Sequence, residues 1–223
     1  MKILIVSATE KEINALKNKF KVNMSTVCVL KYTAIKDFSI DFLVTGIGGI
    51  FTSYALTKRL SDIKYDLVIN AGIAGSFNSD LKIGEVVYVE SEQFADLGIE
   101  DRNEFFTIFE KGFEQKDAFP FTDAKLENPN PYKSDLKKVT GITVNTSHGN
   151  KQSIELFRNK FNADIETMEG AAVFYVCLQE GVKFMQIRAI SNYVDERNVA
   201  KWDIPLAINN LNQKLLEIIN VIN

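Results

Sequence analysis

"MKILIVSATEKE", Met1 to Glu12, sets the fold class. Lys2 to Val6 form an apolar run without polar alternation, so a strand here is expected to be covered on both faces. Thr9 to Phe20, "TEKEINALKNKF", then carries apolar residues at helical spacing and reads as an amphipathic helix. A strand passing directly into a helix is how an α/β domain begins. The apolar run is short and charge interrupts it at Glu10, so it has the form of neither a signal peptide nor a membrane span.

The same reading extends along the chain. Strands are predicted at "STVCVL" from Ser25, "FSIDFLVT" ending at Thr45, "DLVINAGI" from Asp66, "GEVVYVESEQF" from Gly84, "GITVN" from Gly141 and "FMQIRAI" from Phe184. Helices are predicted over Ile50 to Ser61, Lys151 to Lys160, Met168 to Glu180, and from Ile204 to the carboxyl end. The expectation is an α/β sheet, mixed in strand direction, sandwiched by helices. Glu104 to Lys138 holds Pro120, Pro129 and Pro131 and little periodicity; it is a functional loop, a disordered one, or the cover of an element the pattern does not show. No repeat, low-complexity tract or linker divides residues 1–223, so a single domain is expected.

At 223 residues, 46% apolar and 25% charged, such a domain buries about 70% or more of its unfolded surface. A net charge of −3 with scattered Lys and Arg gives no footprint for nucleic acid or an anionic membrane, which leaves a small-molecule partner. Cys28 and Cys177 lie in apolar runs and read as buried, reduced side chains, in keeping with a cytoplasmic protein. With His148 the single histidine, no metal site of His and Cys ligands is expected.

Glycines cluster where strands give way, in "TGIGGIFTS" (Gly46, Gly48, Gly49) and "NAGIAGSF" (Gly72, Gly75). They serve either tight turns or close approach of backbone to a ligand beyond the strand ends. Neither stretch is a dinucleotide fingerprint or a phosphate loop. Thr9 and Glu12 have capping-box spacing; equally, Glu12 is a carboxylate over a strand end, able to take a proton from water. "DIETMEGAAVFYVCLQEG" becomes apolar on every side and reads as a buried helix with Glu169 in its first turn. There Glu166 and Glu169 answer the helix dipole, or Glu169 accepts from a vicinal diol. Asn192 is either a turn residue after a strand or the reader of a flat heterocycle.

Taken in order, "SATEKE", "GIGG", "NAGIAGSF", "IGEVVYVES", "ETMEGAA" and "QIRAISNYVD" resemble the purine nucleoside phosphorylase and methylthioadenosine nucleosidase superfamily. "ADLGIED", "TVNTSHGN", "MEGAAVFYVCLQEGV" and "RAISNYVDERN" resemble the futalosine hydrolases of the menaquinone pathway within it. The resemblance implies a single three-layer αβα sandwich, no cofactor, a nucleoside substrate, homo-oligomers built of dimers, and hydrolysis of an N-ribosidic bond. It implies Glu12 as the base beside the attacking water, Glu169 on the ribose diol, and Met168 packed on the sugar. Ile47 and Ala74 would line the pocket, with His148 near the base-stacking segment.

The methylthioadenosine nucleosidases carry aspartate where this chain has Asn192. A protonated aspartate can give its proton to the leaving base, whereas asparagine cannot. The amide of Asn192 can donate to O6 and N7 of hypoxanthine, although an amide also pairs with adenine. "SATEKEI" lacks the arginine a phosphate would use, so water is the expected nucleophile. Arg102 and Arg197 are candidates for the substrate's far carboxylate.

Overall fold

The computed structural model describes residues 1–20, 23–24, 29–33, 39–102, 104–129, 131–132 and 134–222, with the side chains of 23–24 and 29–33 left aside. In chain order the elements are β1 (Lys2–Ser7), α1 (Glu10–Lys19), β2 (Asn23–Met24), β3 (Val29–Thr33), β4 (Ser39–Val44) and α2 (Gly49–Asp62). There follow β5 (Leu67–Ser76), β6 (Val86–Phe94), β7 (Gly98–Asp101), β8 (Glu104–Thr107), β9 (Leu126–Glu127) and β10 (Lys138–Thr143). The chain closes with α3 (Lys151–Phe161), β11 (Ile165–Thr167), α4 (Gly170–Gln179), β12 (Phe184–Tyr193) and α5 (Ile204–Ile222).

The sheet runs β11-β10-β6-β12-β5-β1-β4-β3-β2. It is mixed: β1 is parallel to β4 and β5, and β12 is parallel to β5 but antiparallel to β6. β11 also pairs with β5, so this half of the sheet curls back on itself.

The apolar run of β1 is explained by its two covers. Ile3 and Ile5 join one buried cluster with Ile13 and Leu16 of α1 and Leu211 and Leu215 of α5. Leu4 and Val6 join another with Leu56 of α2 and Val173, Phe174 and Cys177 of α4. Successive side chains of a strand point to opposite faces, so a strand between two helical layers needs apolar residues at every position. The arrangement is the three-layer α/β sandwich with a mixed sheet. Cys177 is buried as expected; Cys28 lies outside the described residues, and of the strand read from Ser25 only Val29 and Leu30 are described, at the start of β3.

Elsewhere the structure departs from the sequence reading. The proline-rich stretch conceals β8, which forms a hairpin with β7, and β9, which pairs with β6. Ile165–Thr167 is a strand, and α4 starts at Gly170 rather than Met168. Gly72 and Gly75 lie inside β5 and not in a turn.

Candidate active site

The carboxyl ends of β1, β5, β11 and β12 meet the turn before α2 around a cavity of about 370 Å³. Its lining includes Glu12, Ile47, Ala74, His148, Met168, Glu169 and Asn192, so the seven residues placed at the site by the resemblance and by the chemistry of base reading converge on one space. Arg197 lines it as well, whereas Arg102 sits in the β7–β8 turn and is not among the lining residues. A larger cleft of about 940 Å³ opens at the opposite strand ends, beside Met1, Leu67 and Lys183; ligands of α/β sheets bind beyond the carboxyl ends, which favours the smaller cavity.

Glu12 occupies the third position of α1 and is 7% exposed. Its Oε2 accepts from the Ser7 hydroxyl, the Thr9 hydroxyl and the Thr9 main-chain N–H, each at 2.9 Å. Oε1 accepts from Ile73 N–H at 3.1 Å. A carboxylate has about four lone-pair sites, so Oε2 is committed to the protein and Oε1 keeps a direction for a further donor. Capping and a role in the cavity are therefore compatible, one on each oxygen.

Glycine at position 72 makes this possible. A Cβ there would fall 2.0 Å from Nη1 of Arg188 and 2.9 Å from Oε1 of Glu12. Arg188 lies alongside Gly72 in the β12–β5 pairing and is 1% exposed, with Nε and Nη2 buried without a hydrogen-bond partner among the described residues. Its charge holds down the pKa of both Glu92 and Glu169 against the opposing effect of burial. The sequence shows Gln186 and Arg188 among the apolar neighbours of "FMQIRAI" but gives Arg188 no role in the site.

Glu169 is the N-cap of α4 rather than part of its first turn. Its Oε1 accepts from Gly48 N–H at 2.9 Å; Gly48 caps α2 at φ 104°, a backbone conformation that favours glycine. Burial pushes the Glu169 carboxyl above its ordinary range, while Arg188 and Gly48 N–H oppose that and nearby Glu12 adds to it.

Asn192 lies within β12, not in a turn after it. The β12–β5 register shifts between Ile190 and Asn192, leaving Ser191 as the extra residue of a bulge. A bulge breaks the alternation of faces, which lets the consecutive residues Ser191 and Asn192 both line the cavity. The amide is fixed in orientation: Nδ2 donates to Tyr193 O at 2.9 Å, and Oδ1 accepts from the Ser191 hydroxyl at 2.7 Å. Ser191 thus takes one of the two lone pairs of Oδ1, and the other lone pair and the second N–H of Nδ2 remain for a ligand.

On another wall, Glu166 of β11 accepts from the main-chain N–H of His148 at 3.1 Å and pairs with its Nδ1. The imidazole packs on Phe157 of α3 at a centroid distance of 4.1 Å. Arg197 places its guanidinium 5.4 Å from the ring centroid of Trp202, and both line the cavity. Among the described residues no group of three His, Cys, Asp or Glu side chains is placed to hold a metal ion, and no helix is long and apolar enough to cross a membrane.

The sequence profile of the phosphorylase superfamily matches residues 2–220. The chain belongs to that superfamily. Among superfamily members it is similar to a 5'-methylthioadenosine/S-adenosylhomocysteine nucleosidase of Geobacillus sp. (strain WCH70), at 29% identity over 214 residues, 90% of this chain and 89% of that protein. The same superfamily fold is seen in a Neisseria meningitidis 5'-methylthioadenosine/S-adenosylhomocysteine nucleosidase in complex with methylthio-immucillin-A, with TM-score 0.81, 20% identity and 98% of each chain covered. The native futalosine hydrolase of Helicobacter pylori strain 26695 superposes with TM-score 0.80 at 20% identity, covering 99% of this chain and 97% of that one.

Proposed function

We propose that the protein is a cytoplasmic nucleosidase that hydrolyses the N-ribosidic bond of futalosine, releasing hypoxanthine and dehypoxanthine futalosine for menaquinone biosynthesis. The observation that carries the choice of base is the oriented amide of Asn192, whose oxygen already accepts from Ser191 and whose second N–H is free to donate. Hypoxanthine offers acceptors at both O6 and N7 to that N–H, whereas the 6-amino group of adenine would have to share Oδ1 with Ser191.

In this reading Glu12 takes a proton from water through Oε1 as the C1′–N9 bond lengthens and the ribose gains positive charge. Glu169 accepts from the ribose hydroxyls, and Met168 packs on the sugar. Ile47 and Ala74 shape the walls. Arg197, at the same cavity, pairs with the carboxylate at the far end of the substrate. Water rather than phosphate is favoured because the ionised form of Glu12 would repel a dianion. Phosphate-free incubation of the purified protein with futalosine, followed chromatographically, should release hypoxanthine; no release would sink the assignment.

A second reading, adenine release from methylthioadenosine, S-adenosylhomocysteine or aminodeoxyfutalosine, is supported by the similarity to the Geobacillus nucleosidase. Faster release of adenine than of hypoxanthine in a substrate panel would put it first. A binding protein without turnover would instead hold the nucleoside tightly and be unaffected by Glu12→Gln.

The surface beside the cavity also supports a homo-oligomer. Ile47, Ile50, Phe51 and Tyr54 are between 55% and 78% exposed on one side of α2 and the turn before it, an apolar patch suited to a second copy. Sedimentation should give a dimer or a multiple of dimers, and Phe51→Glu should shift it toward monomer.

A further inference from the structure

Asn192 leaves a gap in the chemistry. When the glycosidic bond breaks, its electron pair goes to the base, and a neutral base departs only if it receives a proton. An amide has no proton to give at ordinary pH. Some other group at the cavity must supply it.

The backbone register identifies a position opposite Asn192. Gly75 of β5 pairs on one side with Asn192 of β12 and on the other with Glu166 of β11. Asn192 and Glu166 are thus two strand spacings apart, about 10 Å, with Gly75 between them, where a Cβ would fall 2.9 Å from Val194 Cγ2 and 3.2 Å from Asn192 Nδ2. Side chains that reach the cavity from these two positions flank a width suited to a purine with a hydrogen bond of about 2.9 Å on each of two edges. Glu166 does not face it alone, because its two oxygens are committed to the main-chain N–H and the Nδ1 of His148. With Nδ1 held by a carboxylate and the ring packed on Phe157, Nε2 is the nitrogen left for whatever fills the cavity. With Nδ1–H donating to the carboxylate, the imidazolium form is the one that donates from Nε2.

We propose that His148 is the acid that protonates the departing base at N3, the acceptor across the ring from N7, and that Glu166 is its positioning residue. The inference rests on the nucleosidase reading above. The step balances without a co-reactant. The C1′–N9 bond breaks with its electrons passing to the base, and the Nε2 proton moves to N3. The water oxygen bonds to C1′, and its proton goes to Glu12. Exchange with solvent returns a proton to His148 and removes one from Glu12, so each turnover consumes one water. The site thereby divides two tasks: Asn192 recognises the base, and His148 protonates it.

The charged groups that line the cavity with His148 are Glu166 on β11, Asp195 and Arg197 on the segment after β12, Lys11 and Glu12 on α1, and Glu169 at the start of α4. A neutral imidazole with Nδ1–H on Glu166 has no proton on Nε2, so kcat/KM should fall toward alkaline pH. The test uses the full chain with futalosine or inosine, with base release read across pH. It is repeated with p-nitrophenyl riboside, whose leaving group needs no proton.

His148→Gln should lose about 100-fold or more in kcat on the purine nucleoside, keep most of its activity on the nitrophenyl riboside, and lose the alkaline limb. Glu166→Gln, which can still accept from Nδ1, should lower kcat while leaving KM within about threefold. An unchanged alkaline limb in His148→Gln, or equal losses on both substrates, overturns the proposal. If the wild type does not cleave the nitrophenyl compound, the alkaline limb decides alone. A wild-type protein that releases no base from any nucleoside defeats the nucleosidase reading itself, a result distinct from a cleaving enzyme indifferent to His148.

Discussion

The side-chain amide of Asn212 donates to the main-chain oxygen of Glu12 at 2.8 Å, and its Oδ1 accepts from Leu16 N–H at 2.9 Å. Those two main-chain groups are the ones an α-helix would otherwise join to each other. Asn212 belongs to α5 and is 3% exposed, so a buried amide from the last helix is inserted into the turn of α1 that carries Glu12. Replacing it with alanine leaves that turn to close on itself or stay open, and either outcome moves Glu12. Asn212→Ala should cost about 1–3 kcal/mol in urea unfolding and reduce turnover of whatever nucleoside the protein accepts. Wild-type values of both would show that apolar contacts alone hold α1 in place.

Glu12→Gln separates the two uses of one side chain. Glutamine at the third helical position still completes a capping box with its oxygen but faces the Ile73 N–H with its amide, so the stability loss should be confined to about 1–3 kcal/mol. It cannot take a proton from water, so base release should fall by about 100-fold or more. Thermal unfolding and a chromatographic rate on the same preparation check both halves. A large drop in melting temperature with a proportionate drop in rate would leave Glu12 as a helix cap.

The layered fold was legible because burial on both faces writes an apolar run into β1 and the central strands, and amphipathic spacing marks α1 and α5. Glu12, Glu169 and Asn192 were legible as polar residues at strand or helix boundaries. What escaped were features set by pairing rather than by local pattern. β9 has two residues and β11 three, too few to show a period. The bulge at Ser191 is defined only by its register against β5. Arg188 and Glu166 gain meaning from Gly72 and His148, which are distant in sequence, so no window of consecutive residues contains the relationship.

Asn192→Asp should redirect base preference. Aspartate at this bulge keeps an oxygen where Ser191 can reach it, and in its protonated form it donates and accepts on the same edge of adenine. The ratio of kcat/KM for adenine nucleosides over 6-oxopurine nucleosides is expected to rise by about tenfold or more, which corresponds to about 1.4 kcal/mol. Competition between methylthioadenosine and inosine in one vessel measures it directly. An unaltered ratio would mean that Asn192 does not read the base.

Glu92 predicts a pH dependence of stability that is separate from catalysis. It is 0% exposed beneath the site, accepting from Gln186 Nε2 at 2.6 Å, Thr143 Oγ1 at 2.9 Å and Thr167 Oγ1 at 3.2 Å. Burial pushes its carboxyl up from 4.5 to about 7, against the opposing pull of Gln186, Arg188 and the two threonines. Between those values the folded protein holds a proton that the unfolded chain has released, so the folded state binds more protons and stability falls as pH rises. The contribution is complete below about 4.5 and lost as pH passes about 7. A shift of this size corresponds to roughly 3 kcal/mol. Glu92→Gln keeps an uncharged acceptor for Gln186 and cannot ionise. Its stability relative to wild type should therefore improve from pH 5 to pH 8, by up to that amount, in paired urea titrations. A difference that does not change with pH would show that Glu92 stays charged throughout, with Arg188 as its counter-ion.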